Sequence, residues 1–193
     1  MTRTARYKAH YFAMVGGAGL LALGILTYFR FAPLAILAVI VAMLVPGRIL
    51  GFFWRDQLRG LRLLQQRDYA ASKAASLRFL DYLHASPWIR HLIWLGSSGY
   101  SRDPEVLALN NLGAAEVQLG EHDSARAHLG QAIARDPLCP LPFLNLGMLA
   151  MKSGDTAEAE RCFAEAKRLG YANALSDRIV RASQARFANT DGR

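Results

Sequence analysis

The sequence predicts an all-α protein in which an amino-terminal transmembrane helical hairpin is followed by a short α-solenoid, a stack of paired helices. Two observations predict this fold. The stretch from 109 to 169 repeats itself with a period of 34 residues, and two long apolar runs precede residue 55. A period of this size is typical of helix–turn–helix units that bury their apolar faces only against their neighbours.

The repeat is visible as pairs of residues 34 positions apart. The pairs are Leu112-Gly113 with Leu146-Gly147, Gly120 with Gly154, Ala125 with Ala159, Leu129 with Phe163, and Ala132 with Ala166. Gly120 and Gly154 predict turns, because glycine adopts the left-handed conformation that ends a helix. Gly113 and Gly147 fall inside predicted helices, where glycine costs about 1 kcal/mol relative to alanine. Their recurrence therefore indicates close contact between helices.

These residues resemble the tetratricopeptide repeat family. One copy carries Leu112-Gly113, Ala125, Leu129, Ala132 and Pro137, and the next carries Leu146-Gly147, Ala159, Phe163 and Ala166. Glu116 and Ala150 stand where the family usually has a large aromatic residue, and Tyr171 stands where Pro137 would recur. The resemblance implies that the first helices of successive repeats line a concave groove, which holds a peptide or helix of a partner protein.

Helical phase predicts which residues face this groove. They are Leu107, Asn110, Ala114, Val117 and Gln118 in the first repeat, and Leu141, Leu144, Met148, Met151 and Lys152 in the second. Asn111 and Asn145 lie beside this face, where they hydrogen-bond either a partner's backbone or the backbone of the repeat itself. The groove is mostly apolar, so we expect a helix or an apolar segment as its ligand. The alternative is that the protein's own carboxyl-terminal cap fills the groove.

Two apolar runs predict the hairpin. The run from Tyr11 to Phe29 carries no charge and is about 28 Å long as a helix, close to the hydrocarbon thickness of a bilayer. The second run, from Phe31 to Trp54, is interrupted by Pro46 and Arg48, which leaves open whether it spans fully. A cleaved signal peptide is the competing interpretation, but the first run is long for one and another apolar stretch follows it.

Positive charge is concentrated around these runs. Up to residue 62 the chain has a net charge of +7, whereas the remaining 131 residues supply +1 of the total of +8. A nucleic-acid-binding domain would carry a basic stripe on a folded surface, so we expect contact with membrane lipids, including anionic headgroups, and not with nucleic acid. The positive-inside rule places both ends of the hairpin in the cytoplasm. Together with the brevity of the chain, this predicts a multi-pass protein of the bacterial inner membrane with a cytoplasmic repeat domain.

The sequence divides into four predicted segments. They are a hairpin over 1–54, membrane-proximal helices and a degenerate repeat over 55–102, two repeats over 103–170, and a capping helix with a tail over 171–193. The degenerate repeat is predicted because Ala75, Phe79, Tyr82 and Pro87 reproduce the spacing of Ala125, Leu129, Ala132 and Pro137, displaced by 50 residues.

Three stretches of the second segment carry predictions of their own. The basic stretch from 55 to 66 predicts a helix along or just above the membrane surface. The apolar stretch from 87 to 95 either caps the stack or rests on the membrane interface. The stretch from 96 to 99, Gly-Ser-Ser-Gly, predicts a flexible loop.

The sequence contains no catalytic motif. It has no nucleophile elbow, no phosphate-binding glycine loop and no cysteine or histidine set at metal-ligand spacing. We therefore expect neither an enzyme nor a cofactor, a metal or a small-molecule substrate, and we expect Cys139 and Cys162 to be unlinked thiols. The predicted function is a membrane-tethered adaptor or scaffold for a partner protein at the cytoplasmic face, in the assembly of an envelope complex. The alternative is a structural accessory subunit of a larger membrane complex.

Overall fold

The protein was analysed as a computed structural model that describes residues 3–30, 32–95 and 100–171. Over these ranges the chain forms eight α-helices, one 3-10 helix and no strand, which confirms the predicted all-α class. The predicted loop over 96–99 and, apart from Tyr171, the predicted capping helix and tail over 171–193 lie outside the described residues. The helices are α1 (Arg3–Tyr28), α2 (Pro33–Phe53), α3 (Arg55–Gln65), α4 (Tyr69–Ala85), the 3-10 helix (Pro87–Leu95), α5 (Pro104–Leu119), α6 (His122–Arg135), α7 (Pro140–Lys152) and α8 (Thr156–Arg168).

Helices α1 and α2 are long and apolar enough to cross a membrane, judged by length and composition. The apolar stretches are Ala9–Tyr28 and Pro33–Phe53, of 20 and 21 residues, and neither is buried within the protein. Pro33 occupies the first turn of α2, where its missing N–H leaves no helical hydrogen bond unmade. The two helices form a hairpin whose open ends meet the rest of the molecule.

Two aromatic contacts mark these open ends. At the start of α1, the Arg102 guanidinium lies 4.5 Å from the centre of the Tyr7 ring. At the end of α2, the rings of Phe53 and Trp88 meet edge to face with their centroids 4.9 Å apart. Both ends of the hairpin therefore lie beside the helices that follow.

Trp54 is the single residue between α2 and α3. Its N–H donates to the Leu50 carbonyl at 2.8 Å at the end of α2, and its own carbonyl accepts from the Leu58 N–H at 2.9 Å at the start of α3. With φ of −104° and ψ of 16°, Trp54 itself departs from helical geometry. The Trp54 side chain is buried and packs edge-on against Phe79 of α4. The apolar hairpin is thus joined to the helical stack without a linker.

Helices α3 to α8 form three antiparallel pairs whose first helices end in the same way. A left-handed residue follows each first helix, with φ of 65°, 81° and 80°, at Arg67, Gly120 and Gly154. The next residue donates its N–H five positions back, from Asp68 to Leu63, from Glu121 to Glu116 and from Asp155 to Ala150. This bond is the one that closes a Schellman helix end. The pairs α3–α4, α5–α6 and α7–α8 are therefore in register.

This register corrects the predicted degenerate repeat. Arg67 corresponds to Gly120 and Gly60 to Gly113, so the displacement is 53 residues and not 50. The repeat also has both of its helices, because α3 is the first helix of the pair and α4 the second. Ser72 donates its hydroxyl to the Gly60 carbonyl at 2.8 Å, which holds the two helices together.

Close glycine contacts set the packing within the regular pairs. A Cβ added to Gly113 would lie 2.6 Å from the Leu129 Cγ, and one added to Gly147 would lie 2.6 Å from the Phe163 Cε1. The predicted close approach of paired helices at both glycines is confirmed. Around these contacts lie three apolar clusters, centred on Phe79 and Leu112, on Leu129 and Leu149, and on Phe163.

Candidate partner-binding groove

The ten residues predicted to face the groove, and the two asparagines predicted beside it, lie on α5 and α7 and differ in burial. Four residues of α5 are buried: Asn110, Asn111, Ala114 and Val117. The accessible ones are Leu107, Gln118, Leu141, Leu144, Asn145, Met148, Met151 and Lys152. Helices α3 and α7 contact α5 from either side, so its middle turns form the floor of this surface. The term groove is used below for the accessible residues together with this floor.

A side-chain hydrogen bond links the two first helices across the floor. The Asn145 Nδ2 of α7 donates to the Asn110 Oδ1 of α5 at 2.8 Å. Asn145 thus hydrogen-bonds a neighbouring side chain of the stack. The sequence suggests either a partner's backbone or the backbone of the repeat itself. Because a carboxamide has two donors and one acceptor oxygen, this bond uses only part of its capacity.

Lys152 ties the carboxyl-terminal ends of α5 and α7 together. Its Nζ donates to the Val117 carbonyl at 3.0 Å and to the Gln118 Oε1 at 3.1 Å. A cation at this position stabilises the unpaired carbonyls at the end of α5. The ammonium therefore marks one end of the groove with positive charge.

The apolar side chains of α7 are supported from below. Leu144, Met148 and Met151 are partly buried and pack against the cluster that contains Phe163. Their remaining surface is accessible, and methionine side chains adapt readily to differently shaped ligands. This arrangement suits an apolar ligand better than a charged one.

Helix α3 extends the same surface, a feature that sequence reasoning missed. With the displacement of 53 residues, Leu58 and Leu61 occupy the positions that Asn111 and Ala114 hold on α5. Their side chains are 39% and 41% exposed. Sequence reasoning placed α3 at the membrane surface because its leucines alternate with arginines. The overlooked signal was a spacing in the sequence. Gly60 lies seven residues before the turn residue Arg67, just as Gly113 lies seven residues before Gly120.

A buried carboxylate replaces the aromatic residue usual at Glu116. Its side chain is 1% exposed, and it lies 2.8 Å from the His128 Nδ1 and 3.7 Å from the Lys73 Nζ. Lys73 also pairs with Glu121, and the hydrogen bond to Glu121 raises the pKa of Lys73 above 10.5. This network joins α4, α5 and α6 behind the groove, so its role is to hold the pairs together.

A second carboxylate network fixes the start of α5. Glu105 pairs with Arg90 of the 3-10 helix at 2.6 Å and with Arg135 of α6 at 3.0 Å. Within the described part of the chain, no group of three or more histidine, cysteine, aspartate or glutamate side chains could hold a metal ion. The Glu116 and Glu105 networks therefore hold neighbouring helices together.

Three helix pairs in register, with a shared surface on their first helices, define an α-helical repeat protein. A family model described as tetratricopeptide repeat matches residues 106–137 and 143–169. This part of the chain therefore belongs to the tetratricopeptide repeat family, as the resemblance predicted. The matches cover the α5–α6 and α7–α8 pairs, while the α3–α4 pair lies outside both. A search of curated proteins finds no match to the chain. The family is a protein-interaction fold, which supports an adaptor or scaffold role.

Proposed function

We propose that the protein is a membrane-tethered adaptor that binds a helix or an apolar segment of a partner protein in the groove. The observation that carries this proposal is the line of accessible apolar side chains on the first helices. Leu61 lies on α3 and Met148 on α7, with Ala114 of α5 in the floor between them. A helix laid across successive first helices would meet apolar contacts at each step.

The exposed hairpin supports the membrane tether. Leu20 and Leu34 are 73% and 81% exposed, and neither apolar stretch is buried against the rest of the protein. Leaving such a side chain in water forgoes about 1.5–3 kcal/mol, so helices of this composition favour a bilayer. A signal sequence would account for α1 but not for α2. We further infer that the protein resides in a bacterial inner membrane with its repeat stack in the cytoplasm, because most basic residues around the hairpin lie towards its open ends and only Arg30 lies in its turn.

A structural accessory subunit is the second candidate. The observation that favours it is the open glycine surface of α1, where a Cβ added to Gly16, Gly17 or Gly24 would meet nothing within 4 Å. Glycine surfaces of this kind allow close packing of helices within membranes. In that case the hairpin would bind a membrane partner, and the groove would have no ligand.

Substitutions in the groove separate the two candidates. In the full-length protein, Leu61→Glu and Met148→Glu each place a carboxylate on the proposed contact surface. Leu138→Glu is the matched control, because Leu138 is exposed in the turn before α7. We expect crosslinking to a partner in intact membranes to be lost in the two groove variants and retained in the control. Undiminished crosslinking in both groove variants would reject the adaptor and favour the accessory subunit.

A further inference from the structure

The end of α2 and the 3-10 helix together form an aromatic surface beside the hairpin. Ile89 is buried and caps the first apolar cluster. Trp88 is 52% exposed and contacts Phe53 edge to face. Phe52 is 66% exposed and contacts Phe53 edge to face. The 3-10 helix therefore caps the stack with one face and presents a tryptophan beside the apolar span with the other.

Two arginines flank this aromatic surface. Arg48 and Arg55 are exposed, and within the residues that the structure describes neither has an acidic partner. Asp56, the nearest carboxylate in sequence, lies 3.6 Å from Arg78, and Asp81 lines the same depression as Phe52 and Arg55. Arg48 lies four residues before Phe52, about one helical turn earlier in α2, and Arg55 begins α3 just beyond it. The two arginines therefore bracket Phe52 along the chain.

We propose that this surface, formed by Arg48, Phe52, Arg55 and Trp88, lies on the bilayer itself, with the two arginines on anionic lipid phosphates. The inference rests on the proposed tether and adds to it that the repeat stack is docked on the membrane surface. Tryptophan and arginine favour the headgroup region, because each combines an apolar body with a polar end. Because these residues lie at or beside the end of α2, they reach the headgroup region when α2 spans the bilayer.

The consequence is a fixed orientation of the groove. The Trp54 joint already removes a linker between hairpin and stack, and a docked 3-10 helix adds a second point of attachment. Arg62, seven residues beyond Arg55, lies about 10 Å further along the helix, which exceeds the screening length of about 8 Å at physiological ionic strength. Arg62 is therefore the matched control for the two flanking arginines.

Nitroxide accessibility in vesicles tests this docking. The full-length protein is reconstituted in phosphatidylcholine and phosphatidylglycerol at a 7:3 ratio, with a single label at His91→Cys. His91 is exposed and lies one 3-10 turn after Trp88, on the same side of that helix. Labels at Val41→Cys and His122→Cys mark the middle of α2 and the far turn of the stack, where the exposed His122 begins α6 after the turn from α5. The native cysteines are buried, and the protein without an added cysteine gives their background.

We expect the ratio of oxygen to nickel-chelate accessibility to be several-fold higher at 91 than at 122. Trp88→Gln and the double variant Arg48→Gln/Arg55→Gln should lower the ratio at 91, whereas Arg62→Gln should leave it unchanged. An accessibility ratio that is lipid-like at 41 but water-like at 91 overturns the docking and leaves the membrane tether intact. A water-like ratio at 41 overturns both the docking and the tether. Equal effects of the arginine variant and its control overturn the role of Arg48 and Arg55.

Discussion

Trp54 and Phe79 lie with their ring centroids 5.7 Å apart, and both side chains are buried. Trp54 is the residue through which α2 passes into α3, and Phe79 lies in the middle of α4. The contact therefore joins the apolar hairpin to the first helix pair at the point where the chain passes from one to the other. Because Trp54 also donates the last hydrogen bond of α2 and accepts the first of α3, no linker separates the stack from the hairpin.

Removal of the Trp54 ring should destabilise this joint. Trp54→Ala leaves a cavity beside Phe79 and should lower the free energy of unfolding by about 3–5 kcal/mol, the range for a buried aromatic residue. Thermal unfolding in detergent, followed by helical circular dichroism, measures the change. Trp88→Ala is the control, because Trp88 is half-exposed, and it should cost clearly less. Equal losses in the two variants would contradict the structural role of Trp54.

The glycine contacts predict opposite effects of one substitution at two helical sites. Gly113→Ala places a Cβ 2.6 Å from the Leu129 Cγ, so we expect a loss of about 1–3 kcal/mol from overpacking. Gly130→Ala in α6 meets nothing within 4 Å and should stabilise the helix by about 0.5–1 kcal/mol. The thermal midpoints of the two variants should therefore lie on opposite sides of the native value. A stabilised Gly113→Ala protein would show that α5 and α6 are not in close contact.

Lys73, which pairs with Glu121 and the buried Glu116, predicts a dependence of stability on alkaline pH. This network raises the pKa of Lys73 above 10.5 through the hydrogen bond to Glu121. A group whose pKa is raised by folding stabilises the protein fully below its unfolded value, and this contribution is lost as the pH rises through its folded value. Lys73→Met should therefore cost about 1–3 kcal/mol at pH 9, because it weakens the compensation of a buried carboxylate. The difference between native protein and variant should shrink above pH 10.5. A difference that stays constant from pH 9 to 11.5 would disprove the linkage.

Cys162 should be unreactive in the folded protein. Burial in α8 is the main cause that raises the pKa of its thiol to about 11. At pH 8 the thiolate fraction is then about one in a thousand, compared with roughly a quarter for a free thiol of pKa about 8.5. In a Cys139→Ser background, iodoacetamide should modify Cys162 at least about 100-fold more slowly in the folded than in the unfolded protein. Comparable rates in native buffer and in denaturant would contradict this burial.

The regular repeats were predictable from the sequence because small residues are required at fixed positions. Glycine at 113 and 147 and alanine at 125 and 159 allow the paired helices to approach, and no larger residue fits there without movement of its neighbours. Because each repeat has the same steric requirement, the same residue types recur at the same spacing, and the period of 34 residues can be recognised in the sequence.

The first helix pair was less predictable, since its turn uses a different residue. Arg67 occupies the left-handed position with φ of 65°, where the other two pairs have glycine. Ser72 and Ser76 stand where the regular pairs have Ala125 and Leu129, so polar side chains conceal the repeat. Which groove residues are accessible also depends on tertiary packing, because α3 and α7 lie on either side of α5 and bury its middle turns. Helical phase alone does not give this burial.

Site-specific photocrosslinking in intact membranes is the most direct test of the central claim, that a helix-pair stack fixed to a membrane hairpin holds a partner protein in its groove. A photoreactive amino acid is placed at Leu61 or Met148, and at Leu138 as the control. The account predicts one and the same adduct, identified by mass spectrometry, from both groove positions, and none from the control. An adduct from Leu138 with none from either groove position would contradict it.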